Sequence, residues 1–436
     1  MPKALIVGAG INGLASAWGL KRAGWEVEVF EAGDVPNPLA ASTDHHRLIR
    51  AFYSDAGYAA RIPAAFAAWD VLWGDLGACH YVPRGMLALS RAEGDWSDRS
   101  RAALEARGMA YELLEPQDVA RRYPMLDPGG VRYGMLTQDG GALMAERILR
   151  GLAEWLVARG VVLHTHCPVT HVSDTGAIET PEGRFEADRT LLALGVQSAT
   201  LAPDLADCHA RRVCVLYANP PERWARAWAE APCWVDLGGE DDLWGMPPME
   251  GLPLKLGFGA HTSPGDPETE RALRPDDIET VLGAYRGRFR DIDAFTLVKP
   301  HVNFYLMAPG ERFRLHQSGA VLSLSADSGH GFKFGALTGL DVAEAISTTR
   351  ARPVGEVKAA PAFGRHLWAP CSWPHLPGQD RGLEAPSHAV RDRGQIARRN
   401  SLCNIEPSER AELEAMTGIG GEAQQGAVLM QPKPLT

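Results

Sequence analysis

The sequence predicts an α/β fold in which a parallel-sheet domain is interleaved with a β-rich, α+β domain and followed by a C-terminal appendage. Three observations predict it. A strand, a glycine-rich turn, a helix and a second strand follow one another without interruption near the N-terminus. A further strand–glycine–helix element returns late, at residues 320–347. Between the two, αβ stretches alternate with β-rich ones, so the chain leaves its first domain and comes back to it.

Each part of the opening unit has a physical reading. Ala4-Leu5-Ile6-Val7 is an apolar run that reads as a buried strand, and Gly8-Ala9-Gly10-Ile11-Asn12-Gly13 follows at once. Helical spacing of Leu14, Ala17 and Trp18 continues to a stop at Gly24, and a second strand, Val27 to Phe30, ends in Glu31. Gly8 permits a tight turn, Gly10 lets the backbone approach a pyrophosphate, and Gly13 lets the helix pack closely on the sheet. The helix N-terminus offers unpaired N–H groups and partial positive charge to phosphates. Glu31 is placed to accept hydrogen bonds from a ribose diol. Together these form a Rossmann-type dinucleotide-binding fingerprint, which by itself does not separate NAD from FAD.

Further along, Pro36-Asn37-Pro38 opens a polar stretch, Ala41 to His46, leading into Arg47-Leu48-Ile49-Arg50. Helical spacing runs from Tyr58 to Leu76. Val82 to Ser90 reads as a strand, residues 97–107 as an amphipathic helix and Pro116 to Tyr123 as a short one. Ala145 to Arg159 is a strong helical pattern stopped by Gly160, followed by strand Val161 to Thr165. Val169 to Val172, a hairpin from Ala177 to Phe185 and the apolar run Thr190 to Leu194 come next, closing on Gly195. Residues 213–313 read as strands with Pro and Gly turns and one helix near Pro275 to Phe289. Ala320 to Leu324 is again a buried strand, leading through Ser328-Gly329-His330-Gly331 into a helix to Ser347.

This pattern divides the chain into a nucleotide-binding domain of residues 1–82, 140–212 and 317–352 and a substrate domain of residues 83–139 and 213–316. Residues 353–436 form an extension. Its Pro and Gly punctuation, basic cluster from Arg391 to Arg399 and one short helix, Ser408 to Met416, read as a loosely packed or disordered appendage. There is no internal repeat.

Composition bounds the function. The chain has 436 residues, 45% of them hydrophobic and 22% charged, with a net charge of −10. That balance argues against a general affinity for nucleic acid or anionic membranes. No stretch approaches the roughly eighteen apolar residues of a membrane span. The sequence opens directly on a strand, without a basic, apolar leader, which predicts a cytoplasmic protein. Its seven cysteines are scattered and form no CxxC pair, so they read as buried or incidental thiols rather than a disulfide framework or zinc site.

The blocks Ile6 to Gly13, Arg47-Leu48-Ile49-Arg50-Ala51-Phe52-Tyr53, Gly140-Gly141 with its following helix, Ala193-Leu194-Gly195, Pro253-Leu254-Lys255-Leu256-Gly257 and Gly329-His330-Gly331-Phe332-Lys333 carry a resemblance. In this order they are similar to the amine-oxidising flavoproteins of the D-amino-acid-oxidase superfamily, most closely the monomeric sarcosine oxidase family, which includes N-methyl amino acid and pipecolate oxidases. The second block is like that family's R-I-I-R-x-x-Y, and the last matches its motif letter for letter. The resemblance spans residues 3–350 and favours FAD, since an NAD dehydrogenase would not need the late strand–glycine–helix element.

The resemblance implies an FAD-dependent oxidation of a secondary or N-methylated amino acid to the imine, with O2 reoxidising the flavin to give hydrogen peroxide. It implies FAD contacts from Gly8, Ala9, Gly10, Ile11, Asn12, Gly13, Glu31 and Ser42, from Arg47, Val169 and Gly195, and from Gly329, His330, Gly331, Phe332 and Lys333. Arg50 and Lys333 would hold the substrate carboxylate, which a planar guanidinium and a point charge both suit. Arg47 would lie against a flavin face. Lys255 stands at the position of the family's oxygen-activating lysine, where a fixed cation lowers the barrier to forming superoxide. A surface ion pair for Arg50 and an exposed strand position for Lys255 are the plain alternatives. His45 and His46 are close enough in sequence to the flavin segment to tune amine protonation, or are ordinary loop residues. No metal is implied.

The sequence also departs from the family. Its members commonly attach FAD through a cysteine, and that position is Asn303, so the flavin is expected to be non-covalent. The family histidine four residues after the oxygen lysine is Gly259, with His261 two further on, and the pocket tyrosine eleven before the lysine is Trp244. Trp244, Met246, Phe304 and Tyr305 are expected to form an aromatic, apolar pocket wall suited to a side chain larger than sarcosine's hydrogen, although each also fits core packing. Two other readings stay open: a dehydrogenase passing electrons to a quinone or protein, and a flavoprotein whose tail docks a partner.

Overall fold

The computed structural model describes residues 1–349 apart from 240 and 326. The extension expected over residues 353–436, with its basic cluster and short helix, lies outside them.

The predicted opening unit is present. Strand Lys3–Val7 runs into helix Ile11–Arg22 and returns as strand Glu26–Phe30. The two strands are parallel, with Leu5 opposite Glu28. They sit inside a six-stranded sheet whose order is Arg314–Ser318, Val321–Ser325, Arg189–Leu192, Lys3–Val7, Glu26–Phe30 and Val162–His164. Only the edge pair, Arg314–Ser318 with Val321–Ser325, is antiparallel. The central strand Lys3–Val7 is buried from Ala4 onward because helices cover the sheet, and its near-continuous apolar run reflects that burial.

Helix Gly335–Thr349 packs on Ile11–Arg22 and on the long helix Ala56–Leu76. The long helix starts at Asp55, whose carboxylate accepts a hydrogen bond from the Tyr58 N–H at 2.9 Å, and stops at left-handed Gly77. Helix Ala145–Val157 buries Ile148, Leu149, Leu152 and Leu156 at helical spacing.

The second large sheet is nine-stranded and built mainly from residues 86–137 and 209–307. Its spine is the long antiparallel pair His209–Asn219 and Thr296–Met307. Leu254–Phe258 and Leu243–Met246 continue it on the other side. Trp228, Trp234, Tyr285 and Phe289 fill the core beneath. A buried bidentate ion pair, Arg212 Nη1 to Asp277 Oδ1 at 2.9 Å and Nη2 to Oδ2 at 2.7 Å, ties helix Asp277–Tyr285 to this sheet.

Several elements differ from the sequence reading. The single strand expected at Val82 to Ser90 is two, Tyr81–Pro83 and Met86–Ser90, in different sheets. Left-handed Gly85 (φ 71°) breaks it. Arg47–Arg50 is itself a strand, paired with Gly140–Leu143. The region 213–313 holds a second helix, Glu222–Ala229, following Pro220-Pro221 and burying Trp228. Cys167, Cys208, Cys214 and Cys233 are free and buried. Among the described residues no helix is long and apolar enough to cross a membrane.

Candidate active site

One cavity of about 930 Å³ runs from the N-terminal glycine turn to Lys255 and Lys333. Small-molecule and cofactor sites measure roughly 300–1,000 Å³, so this is room for a large ligand. At its nucleotide end Gly8 has φ 102°, and a Cβ there would lie 2.5 Å from the Ala193 carbonyl oxygen. A Cβ on Gly13 would lie 1.8 Å from the Gly8 oxygen. Both positions therefore exclude a side chain. Glu31 ends the second strand at the cavity wall and accepts hydrogen bonds from the Ala9 N–H (2.8 Å), the Gly33 N–H (3.1 Å) and Asn37 Nδ2 (2.8 Å). Ser42 Oγ takes the Ile11 N–H at 2.9 Å.

Gly8, Gly10, Ile11, Asn12, Glu31, Ser42 and Gly195 all line this end. Ala9 contributes its N–H from just behind the wall, and Gly13 sits at the helix–strand crossing. Val169 lies apart, packed against a small apolar cluster around Leu5, Phe30 and Leu192.

At the other end, Arg47 and Lys255 meet on one carboxylate. Asp44 Oδ2 accepts from Arg47 Nη1 at 2.6 Å and from the Lys255 ammonium. Asp44 Oδ1 accepts from the Tyr217 hydroxyl and from the His45 N–H at 2.8 Å. Burial works to raise the Asp44 carboxyl, but the charges of Lys255 and Arg47 outweigh it and hold it well below the usual carboxylate range. Lys255 is 1% exposed, and burial lowers its ammonium to about 8 against the opposing pull of Asp44. The His46 ring is enclosed, both its nitrogens lack hydrogen-bond partners, and burial brings it down to about 3. His45 is exposed. Neither histidine ring lines the cavity.

Arg50 and Lys333 converge on the remaining wall. The Arg50 guanidinium carbon stands 4.6 Å from the Tyr53 ring centroid and 5.4 Å from that of Trp96, and its Nε is buried without a hydrogen-bond partner. Lys333 donates to the Gly329 carbonyl at 2.8 Å, and burial together with the Arg50 charge holds its ammonium well below the usual lysine range. Gly329 (φ 72°) turns the chain into Gly331–Phe334 and then helix Gly335–Thr349, so Gly329, His330, Gly331, Phe332 and Lys333 line the cavity together. Burial lowers the His330 ring to about 4.

Trp244, Phe304 and Tyr305 also line the cavity. Met246 pairs with Lys255 across the sheet but is fully buried and does not line it. Asn303 lines it as well, its Nδ2 3.4 Å from the carbonyls of Ala41 and Thr43.

Besides Asp44, Asp242 and Asp327 are acids on the cavity that escaped sequence reasoning. Asp242 and Asp327 both face it, and burial pushes each carboxyl up to about 6. Asp242 is exposed and Asp327 half-buried. Asp242 stands just before strand Leu243–Met246 with a left-handed backbone (φ 49°), so strand alternation gives no signal for it. Asp327 immediately precedes the Ser328-Gly329 turn.

The sequence aligns with the FAD dependent oxidoreductase family over residues 3–345. The chain belongs to that family. This oxidoreductase is 24% identical over 348 residues to the monomeric sarcosine oxidase of Bacillus sp. (strain B-0618), covering 76% of this chain and 88% of that protein. It is 30% identical over 208 residues to the N-methyl-L-tryptophan oxidase of Salmonella arizonae, covering 46% and 55%. Its fold matches that of glycine oxidase from Geobacillus kaustophilus with a TM-score of 0.69 at 18% identity, over 80% of this chain and 95% of that one.

FAD is its cofactor, and the residues present fit that group. The glycine turn and Glu31 are built for a pyrophosphate and a ribose. The cavity continues unbroken from there to a cationic end large enough for a fused ring.

Proposed function

We propose that this enzyme oxidises a secondary or N-methylated amino acid with a side chain larger than sarcosine's to the imine, and that O2 takes the electrons to give hydrogen peroxide. The observation that carries this reading is the convergence of two cations, half-buried Arg50 and buried Lys333, on a cavity walled by Trp244, Phe304 and Tyr305. The cations suit a carboxylate, and the aromatic wall suits an apolar side chain. FAD, when bound, supplies the acceptor for the hydrogen and electron pair leaving the carbon next to the amine.

The chain's own residues then have defined tasks. Arg50 is rigid against Tyr53 and Trp96, so its guanidinium is oriented before a carboxylate arrives. Lys333 is tethered to Gly329 and adds a second charge. Lys333 is desolvated already, which strengthens a charge-assisted contact. Lys255 and Arg47 fix positive charge at the other side of the same cavity end. No acid–base dyad is required, because a neutral amine needs no proton removed before oxidation. With Asn303 where the family has its cysteine, FAD is held without a covalent bond.

A second reading, a dehydrogenase using another acceptor, has one observation in its favour: the Lys255 charge is partly offset by Asp44. Anaerobic mixing of the oxidised enzyme with a panel of N-methyl, cyclic and D-amino acids tests the substrate reading. Bleaching of the flavin absorbance by N-methyl or cyclic amino acids supports it, and bleaching only by compounds without a carboxylate overturns it.

A further inference from the structure

Lys255 sits in a dry site beside a second cation, Arg47, with a single anion between them. Asp44 is 5% exposed and Lys255 1%, so solvent screens neither. The groups facing Lys255 come from four elements. Asp44, His46 and Arg47 lie on the segment leading into strand Arg47–Arg50; the Lys255 ammonium also donates to the His46 carbonyl at 3.2 Å. Tyr217 and Trp244 present their rings at 5.5 and 5.6 Å from Nζ, from two neighbouring strands. His301, from strand Thr296–Met307, is the remaining titratable neighbour. None of the others replaces Asp44. Burial lowers both histidines, so they stay neutral, and burial raises Tyr217, so it stays a hydroxyl that donates to Asp44.

We propose that Asp44 is a positioning residue that keeps Lys255 protonated and pinned at the cavity wall, and thereby sets the pH range over which the reduced enzyme reacts with O2. The chemistry makes the charge matter. O2 becomes H2O2 by taking two electrons and one proton from the reduced flavin anion and one further proton from solvent. The first electron creates an anion, which a fixed ammonium stabilises. Without Asp44, two cations face each other in low dielectric, and one of them sheds its proton. A guanidinium keeps its proton under such stress and an ammonium does not, so Lys255 is the one that yields. The inference rests on the O2 reading above, but Asp44's hold on Lys255 is measurable without substrate.

Holoenzyme labelled with ¹³C at lysine Cε gives few signals, and Lys255→Met identifies the one of interest. In the wild type that signal should titrate near pH 8. In Asp44→Asn its midpoint should fall by about one to three units, while Asp44→Glu, which retains the anion, should stay near the wild-type value. Each protein, photoreduced without any amino acid, is then mixed with O2 between pH 6 and 10. The reoxidation rate should lose its fast limb at the same pH as its own Lys255 midpoint, leaving Asp44→Asn about three-fold slower at pH 7.5 for a fall of about one unit and about 25-fold slower for a fall of about two. An unmoved midpoint in Asp44→Asn overturns the proposal, as does a midpoint that moves while the O2 limb stays. Should Asp44→Asn fail to hold FAD, the wild type still decides: a Lys255 midpoint unrelated to its O2 limb overturns the proposal. Slow reoxidation of the wild type at every pH overturns the O2 reading instead, and the Lys255 midpoint then judges Asp44's hold alone.

Discussion

Oδ2 of Asp242 lies 1.7 Å from the point where a Cβ on residue 259 would stand. Gly259 and Asp242 are thus one structural decision, in which the carboxylate takes the room a side chain at 259 would fill. A side chain at 259 would have to displace the Asp242 carboxylate. An acid consequently shares the cavity with Arg50 and Lys333, and both contribute to its electrostatics.

Gly259→Ala should therefore fail sterically, losing about 1–3 kcal/mol of stability, as overpacking does. Combining it with Asp242→Ala should recover most of the loss. Urea denaturation of the two single variants and the double variant measures the coupling. Additive losses would mean that the two residues do not compete for the space.

Asp242→Asn should show a pH signature. Burial raises the carboxyl to about 6. A carboxyl raised on folding contributes stability at low pH that is lost as pH rises through the folded value. The Asn variant, which never ionises, should therefore melt higher than wild type at pH 8, with the gain shrinking below pH 6. Removing the anion should also lower KM for a carboxylated amine above pH 6, since Arg50 and Lys333 then meet the substrate unopposed. A Tm difference independent of pH would overturn this.

Arg50→Ala and Lys333→Ala should each weaken capture of a carboxylated substrate by about 2–5 kcal/mol, the usual loss on removing one partner of a desolvated charge contact. Flavin content should survive in the Arg50 variant. Lys333 belongs to the Gly329 to Lys333 turn, which is expected to contact the flavin, so its variant should lose some FAD as well. The kcat/KM of each variant, normalised to bound flavin, gives the number, and wild-type values in both would defeat the amino acid reading.

Acid precipitation of the holoenzyme should release all of its yellow colour into the supernatant. Asn303 cannot form the thioether of the family's cysteine, and its amide is engaged with the backbone, with Oδ1 accepting from the Phe304 N–H at 2.8 Å. Colour retained in the pellet would reveal another covalent attachment.

The local parts of the site were legible in the sequence and the long-range parts were not. Gly8, Gly13 and Glu31 act through contacts fixed by a turn and its flanking strands, so spacing alone located them. The Gly329 to Lys333 segment was singled out by its resemblance to a family motif, and the structure sets those five residues along the cavity. Asp44 was passed over as part of a polar stretch, since its meaning lies in a partner 211 residues away. Met246 was taken for pocket wall because it shares a face with Trp244. Sequence gives the face but not the depth, and Met246 is completely enclosed. Val82 to Ser90 looked like one strand because Arg84-Gly85 is too short an interruption to break an apolar pattern, although left-handed Gly85 sends its two halves to different sheets.

Lys255→Met should separate the two half-reactions. The lysine side chain is bound to Asp44 and the His46 carbonyl, whereas Arg50 and Lys333 are assigned to the substrate carboxylate. Reduction of the flavin by an amino acid should therefore stay close to the wild-type rate. Reoxidation by O2 should slow by orders of magnitude, because the ammonium that opposes the charge of nascent superoxide is gone. Methionine is close to lysine in length and apolar, so it fills the same dry space beside Tyr217 and Trp244 without leaving a charge unpaired there. Asp44 keeps Arg47 as a partner in the variant, so the carboxylate is not orphaned. Stopped-flow traces of each half-reaction decide the matter. An enzyme built for another acceptor would reoxidise slowly in O2 before any mutation and change little after it. A merely structural lysine would lower both limbs together, along with the melting temperature. A selective loss in the oxygen limb is the outcome that an oxidase requires.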